Sequence, residues 1–149
     1  MGSQPHGTGA CFGHHTLYSM SRLLALAEAE ELSTDAKQFC RKRLVDCGAA
    51  LRHSQQVDGA WDASWYTDNK IIPVENEHLA RVISTSHALE WLWYAPRECT
   101  NGINVEMAVA YLLRAMIDVP QDKLQSEFPP YTHALNAVLL WTPEQIDEQ

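Results

Sequence analysis

Three stretches of this chain repeat one pattern, a polar residue, His, a small residue and Leu: His14-His15-Thr16-Leu17, Ser86-His87-Ala88-Leu89 and Thr132-His133-Ala134-Leu135. Neutral imidazoles from His15, His87 and His133, if brought to one point, form a zinc-site pattern, three nitrogen ligands with an open position that lowers the pKa of a bound water towards about 7. Without metal, the same rings are poised near neutral pH to act as general acid and base. Cys11, just before the first repeat, is a candidate nucleophile in that setting. Glu90, one turn after His87, is placed to orient an imidazole or to sit at the rim. A plainer reading stands beside each of these. A histidine at a helix start can accept from the free N–H groups there, and no sequence feature depresses the pKa of Cys11. The sequence demands no cofactor; zinc is the one the histidine pattern admits.

The elements that must position these residues are helical. From His14 to Ala29 the apolar positions Leu17, Met20, Leu23, Leu24 and Ala27 recur at helical spacing. Ser33, Thr34 and Asp35 offer caps for a second helix over 36–55, with Phe39, Cys40, Leu44, Cys47 and Leu51 on one face and Arg41, Lys42 and Arg43 on the wet one. Residues 57–74, rich in Gly, Asp, Trp, Tyr and Asn, read as a long loop. A third helix is expected to start near Ser84–Ser86 and end before Pro96, with Glu75, Glu77 and His78 a solvated cluster ahead of it. A fourth follows Asn104 and stops at Pro120, and a fifth runs from Pro129 and Pro130 to about Leu140. Thr142-Pro143 and Gln145 have the form of a capped last turn. The alternation of a β-strand is absent. Residues 1–13 read as a flexible lead-in without the order of a secretion signal, and 14–149 as one helical domain.

Composition narrows the function classes. A formal charge of −8 disfavours nucleic acid, which needs clustered Lys and Arg. No apolar run approaches the about 20 residues needed to span a bilayer. Cys40 and Cys47 fall on one helix about 10 Å apart, beyond disulfide reach, and with no Cys-x-x-Cys the thiols read as reduced, in a cytoplasmic setting.

Gln55-Gln56-Val57-Asp58-Gly59-Ala60-Trp61 closes the second helix and fits Gln-x-x-x-Gly-x-Trp. On Gln55, Gly59 and Trp61 the chain resembles squalene–hopene cyclases and the wider terpenoid-cyclase and prenyltransferase superfamily. The resemblance implies an all-α fold, an α/α toroid-like array of antiparallel helix hairpins. With five or six helices against about twelve in a full toroid, it would be a half ring, completed by the remainder of a larger chain or by a second copy. It also implies that the Gln bonds to the end of a neighbouring helix while the Trp stacks on the Gln. An apolar or prenyl-like ligand would be lined by aromatic residues, for which Trp91 and Tyr94 are the candidates. The Asp-x-Asp-Asp of the cyclases, the Asp-x-Cys of the zinc prenyltransferases and the Gly-Cys-Gly-Glu-Gln of thioester domains are all missing. Three expectations follow: a ligand-binding or interaction domain of this fold, a metal- or histidine-dependent enzyme at the rim, or a structural domain that dimerises to complete a ring.

Overall fold

The computed structural model describes residues 10–26, 32–66, 73–120 and 128–142. These form five α-helices: α1 His14–Ala25, α2 Thr34–Ser54, α3 Glu77–Tyr94, α4 Val105–Ile117 and α5 Phe128–Leu140, with a short 3₁₀ turn at Arg97–Cys99. Among the described residues there is no strand. Side-chain caps set three of the helix starts. Ser33 accepts from Ala36 N–H, Asn76 from Leu79 N–H and Asn104 from Met107 N–H, each satisfying one donor that the first turn leaves without a partner. Pro129 and Pro130 sit in the first turn of α5, where a missing N–H costs nothing.

Helix α3 departs from the sequence expectation, beginning at Glu77 rather than near Ser84–Ser86. Its start is marked by the Asn76 cap, with exposed, polar Glu77 and His78 ahead of Leu79, which packs against the core. His87 therefore lies in the second half of its helix and His133 in the second turn of α5, so only α1 begins at its His signature. Neither His87 nor His133 caps a helix. The expected turn beyond Thr142 lies outside the described residues.

Helix α3 is the centre of the fold, packing most extensively against α5 and α1 and also touching α4. Its stretch from Ser84 to Leu92 is buried without a break, which a helix enclosed on all sides requires. Helix α2 is one-sided. Leu44, Cys47 and Leu51 face the core, while Arg41 pairs with Glu98 at 2.6 Å and Lys42 with Asp46 at 2.7 Å on the wet side. Gly48 lets the Arg97–Cys99 turn sit directly on α2, because a Cβ there would lie 2.5 Å from the Cys99 carbonyl oxygen. All four cysteines are free.

The segment after α2 ties three helices together. The Gln55 side chain donates to the carbonyls of Gly59 (3.0 Å) and Asn104 (2.9 Å) and accepts from Asn104 N–H (2.9 Å), joining the end of α2 to the cap of α4. Trp61 is fully buried, its indole donating to Leu51 O at 2.8 Å and its backbone N–H to Thr85 Oγ1 of α3 at 3.0 Å. Gly59, at φ 93°, is pressed so closely on the start of α4 that a Cβ would lie 2.4 Å from Met107 backbone atoms. From α3, Arg81 Nη2 reaches both carboxylate oxygens of Asp58 at 2.8 and 3.0 Å. Its Nε lies 3.0 Å from Asp62, an ion pair without a well-directed hydrogen bond. Partial burial works against the Asp58 carboxylate, but Ala60 N–H and Arg81 prevail and hold it below its usual range.

Gln55→Ala removes three hydrogen bonds at the partly exposed α2–α4 joint, those to the Gly59 and Asn104 carbonyls and that from Asn104 N–H. The expected loss is about 1–3 kcal/mol of stability with helical content retained. Urea melts followed by circular dichroism measure it, and a midpoint equal to wild type would remove the joint from the list of stabilising contacts.

Candidate functional site

A cavity of about 520 Å³ opens between α1, α3 and α5. Each helix lines it with residues three or four apart, the spacing that keeps side chains on one face. Helix α1 supplies His15, Tyr18 and Ser19, α3 supplies His87 and Glu90, and α5 supplies Thr132, His133 and Asn136. Every one of these side chains carries a polar atom, and none is aliphatic.

The structure brings together the three histidines that the sequence pattern singled out. The His87 and His133 rings are centred 4.1 Å apart, His15 meets His87 edge-on at 4.7 Å, and His15 and His133 are 6.5 Å apart. At their centre is Glu90, whose carboxylate lies 2.8 Å from His87 Nδ1 and 3.1 and 3.2 Å from His133 Nδ1, and accepts from Asn136 Nδ2 at 2.7 Å. Burial alone would push the Glu90 carboxyl up. The bonds from His87, Asn136 and His133 outweigh it and hold the group below its usual range. An ionised carboxylate only accepts, so both Nδ1 atoms carry their protons and Nε2 is the remaining nitrogen of each ring. Glu90 thus fixes the tautomer and the orientation of two imidazoles at once. For His15, burial first and then the nearby His87 and His133 lower the pKa, with Glu90 opposing them in part.

Cys11 reaches the cluster from a left-handed turn in the last residues of the expected flexible lead-in, of which 1–9 lie outside the described residues. Cys11 (φ 51°), Phe12 (φ 58°) and Gly13 (φ 84°) all have positive φ, a conformation that costs a non-glycine residue about 1–2 kcal/mol. Packing holds the turn, since Phe12 lies against the core and its carbonyl accepts from Trp65 Nε1 at 3.2 Å. Burial, and then the charge of Glu90, push the Cys11 thiol up. Without a cation beside it, this favours the protonated thiol over the thiolate that a nucleophile needs; a bound divalent metal would displace that proton to solvent. Two triads have donor atoms within 4.8 Å of one another, Cys11–His15–His87 and His87–Glu90–His133. The metal set expected from sequence, His15–His87–His133, is not one of them.

A histidine outside the expected set supports the floor. His14 is fully buried, stacked on Trp65 at 4.8 Å, and accepts at Nδ1 from Trp91 Nε1 at 3.1 Å. Its Nε2 then donates to Ser84 Oγ at 3.3 Å, and Ser84 donates to Asp62 O at 3.1 Å. Burial, then His87 and His15, drive its pKa well below the ordinary value. Periodicity could not separate His14 from its neighbour; only the buried donor on Trp91 and acceptor on Ser84 do so.

The aromatic candidates are placed elsewhere. Trp91 is wholly buried and holds His14 instead of lining the cavity. Tyr94 lines a second cavity of about 450 Å³ beside Lys37 and Arg41, and its ring carries the Arg22 guanidinium at 4.3 Å. The aromatic residue at the mouth is Tyr18, which meets Tyr94 edge-on. Sequence reading passed over Tyr18 and Asn136, whose only signal is their helical spacing from His15 and His133. No protein-family model, curated protein or solved structure matches the chain. Fold and site together define an all-helical protein with an imidazole–carboxylate cluster at the mouth of a polar cavity.

His14 makes stability depend on pH. Its folded pKa is depressed, so below about pH 6.5 the unfolded chain takes up a proton that the folded chain refuses. This contribution is complete above that pH and is lost as pH falls, by up to about 1.4 kcal/mol per unit. Thermal melts from pH 7.5 to 5 should show a shallower decline for His14→Gln than for wild type; parallel declines would mean that His14 titrates normally in the fold.

Proposed function

We propose that this chain is a ligand-binding domain of the α/α toroid type whose site is the mouth between α1, α3 and α5. In this reading the ligand is a small polar molecule, and His87 and His133 move a proton on it. The observation that carries it is Glu90. A carboxylate buried in a helix core is costly unless fully partnered, and here its partners are two imidazoles facing a cavity. A fold needing only stability is served as well by an apolar residue at that position. The orientation by carboxylate is the arrangement that general acid–base histidines use. The toroid part of the reading is supported by Gln55, which ties the end of α2 to the start of α4 as its counterpart does in the resembled repeats. Trp61 is buried beside it, its indole bonded to Leu51 O near the end of α2. The absence of aliphatic side chains from the lining argues for a polar ligand over a prenyl chain.

Hydrolysis of p-nitrophenyl acetate in the presence of a chelator tests the mouth as an imidazole site. We expect the His87→Ala/His133→Ala double variant to fall at least about tenfold below wild type, with Glu90→Gln between them, because positioned general acid–base groups contribute about 10²–10⁴-fold. His53 and His78, exposed elsewhere on the chain, set the background. Equal rates in all three proteins would end the acid–base reading.

A second reading, a domain that pairs with its own copy, is favoured by apolar side chains left outside the core. Leu113 and Ile117 are exposed one turn apart on α4, and Leu135 and Leu139 one turn apart on α5. Sedimentation equilibrium should then give a dimer that Ile117→Glu dissociates; a monomer at all concentrations would discard this reading.

A further inference from the structure

We propose that Cys11, His15 and His87 hold a divalent metal ion of the zinc class at this mouth, with Glu90 behind His87 as its orienting partner. The inference rests on the mouth being the functional site and adds the metal and its donor set. Zinc binds thiolate at about 2.3 Å and imidazole at about 2.0–2.1 Å, so tetrahedral donors lie roughly 3.3–3.6 Å apart. The donor atoms of this triad are within 4.8 Å of one another, so forming the site asks them to close by roughly 1 Å. His15 and His87 already meet edge-on, with ring planes 89° apart, as two ligands of one ion can.

Three observations favour this triad over His87–Glu90–His133, which shares a residue with it. First, the atoms of the second triad are engaged with one another: both Nδ1–H groups and Asn136 bond to Glu90. A cation bound through those Nδ1 atoms must break those bonds. The side chains of Cys11 and His15, by contrast, have no hydrogen-bond partner among the described residues. Second, His87 Nδ1 is bonded to Glu90, so the proposal takes Nε2 as the ligating nitrogen. A ligating histidine whose other N–H is held by a carboxylate is the usual arrangement behind protein metal ions. Third, Cys11 is delivered by a left-handed turn that the rest of the fold holds in place through Phe12 and Trp65. Backbone strain of this kind persists where the surroundings fix it, and here it places sulfur beside His15.

Three protein ligands leave the fourth position for water or for an oxygen- or nitrogen-bearing molecule in the polar cavity. His133 stays outside the donor set, next to His87.

Cobalt(II) titration of the chelator-stripped full chain tests the proposal, because a thiolate ligand gives an intense near-ultraviolet charge-transfer band. One ion per chain with that band is expected. Cys11→Ser should remove the band and weaken zinc binding, measured by competition, by at least about tenfold. Glu90→Gln should weaken zinc binding about 10–100-fold as a partner of the ligand. His133→Ala should keep the band, and circular dichroism shows that each variant is folded. A wild-type protein that binds no ion, or one without the band, overturns the proposal. So does binding that survives Cys11→Ser but not His133→Ala, which would put the ion on the other triad. The ester hydrolysis above, run with chelator, is decided independently of all these outcomes.

Discussion

The ionised Glu90 carboxylate is the group on which the site depends. It lies inside a helix-packed interior, where an unpartnered charge would be driven back to its neutral form. Three donors from two helices prevent this: His87 from its own helix, and His133 and Asn136 from α5. The constraint works in both directions. Glu90 stays ionised only while α5 is docked on α3, and the imidazoles keep their tautomer only while Glu90 is ionised. Packing and site chemistry are therefore one arrangement.

Such a cluster needs a floor that does not shift. The unbroken buried stretch of α3 gives one, and the relay from Trp91 through His14 and Ser84 to Asp62 O satisfies the polar groups beneath it. Every member has a partner, which is the condition under which a buried polar network stiffens a fold instead of weakening it. The same turn of chain joins floor and frame. Asp62 ends the relay and Trp61 bonds to Thr85 on α3, while six residues earlier Gln55 fastens α2 to α4. Burying Trp61 thus sets the position of α3 against the helices around it.

Much of the frame was legible from residue types. Helices α2, α4 and α5 were readable because their faces differ in polarity and because Ser33, Asn104 and the Pro129–Pro130 pair mark their starts. The start of α3 was missed, since exposed Glu77 and His78 open it and its stretch from Ser84 to Leu92, His87 and Glu90 included, is buried on every side and shows no wet face. That the three repeated histidines deserved attention was visible, though for a partly mistaken reason: they were expected at three helix starts, and only α1 begins at its signature. Their meeting follows instead from α1 and α5 flanking the same side of α3. The aromatic residues were misplaced because Trp91 and Tyr94 look alike in sequence as large, part-polar side chains. Which of them fills a core depends on what the opposing helix offers.

The sequence by itself determined the all-helical class, the one-sided character of α2 and the glycine turn after it, because periodicity, caps and a required positive φ are local properties. It also marked the histidines. Only the tertiary structure decided that Glu90 joins two of them, that His14 serves the floor and His15 the mouth, and that Cys11 lies beside the cluster. Those outcomes depend on which helix faces which, and on whether a buried donor finds an acceptor across the interface. Spacing along one chain does not carry that information.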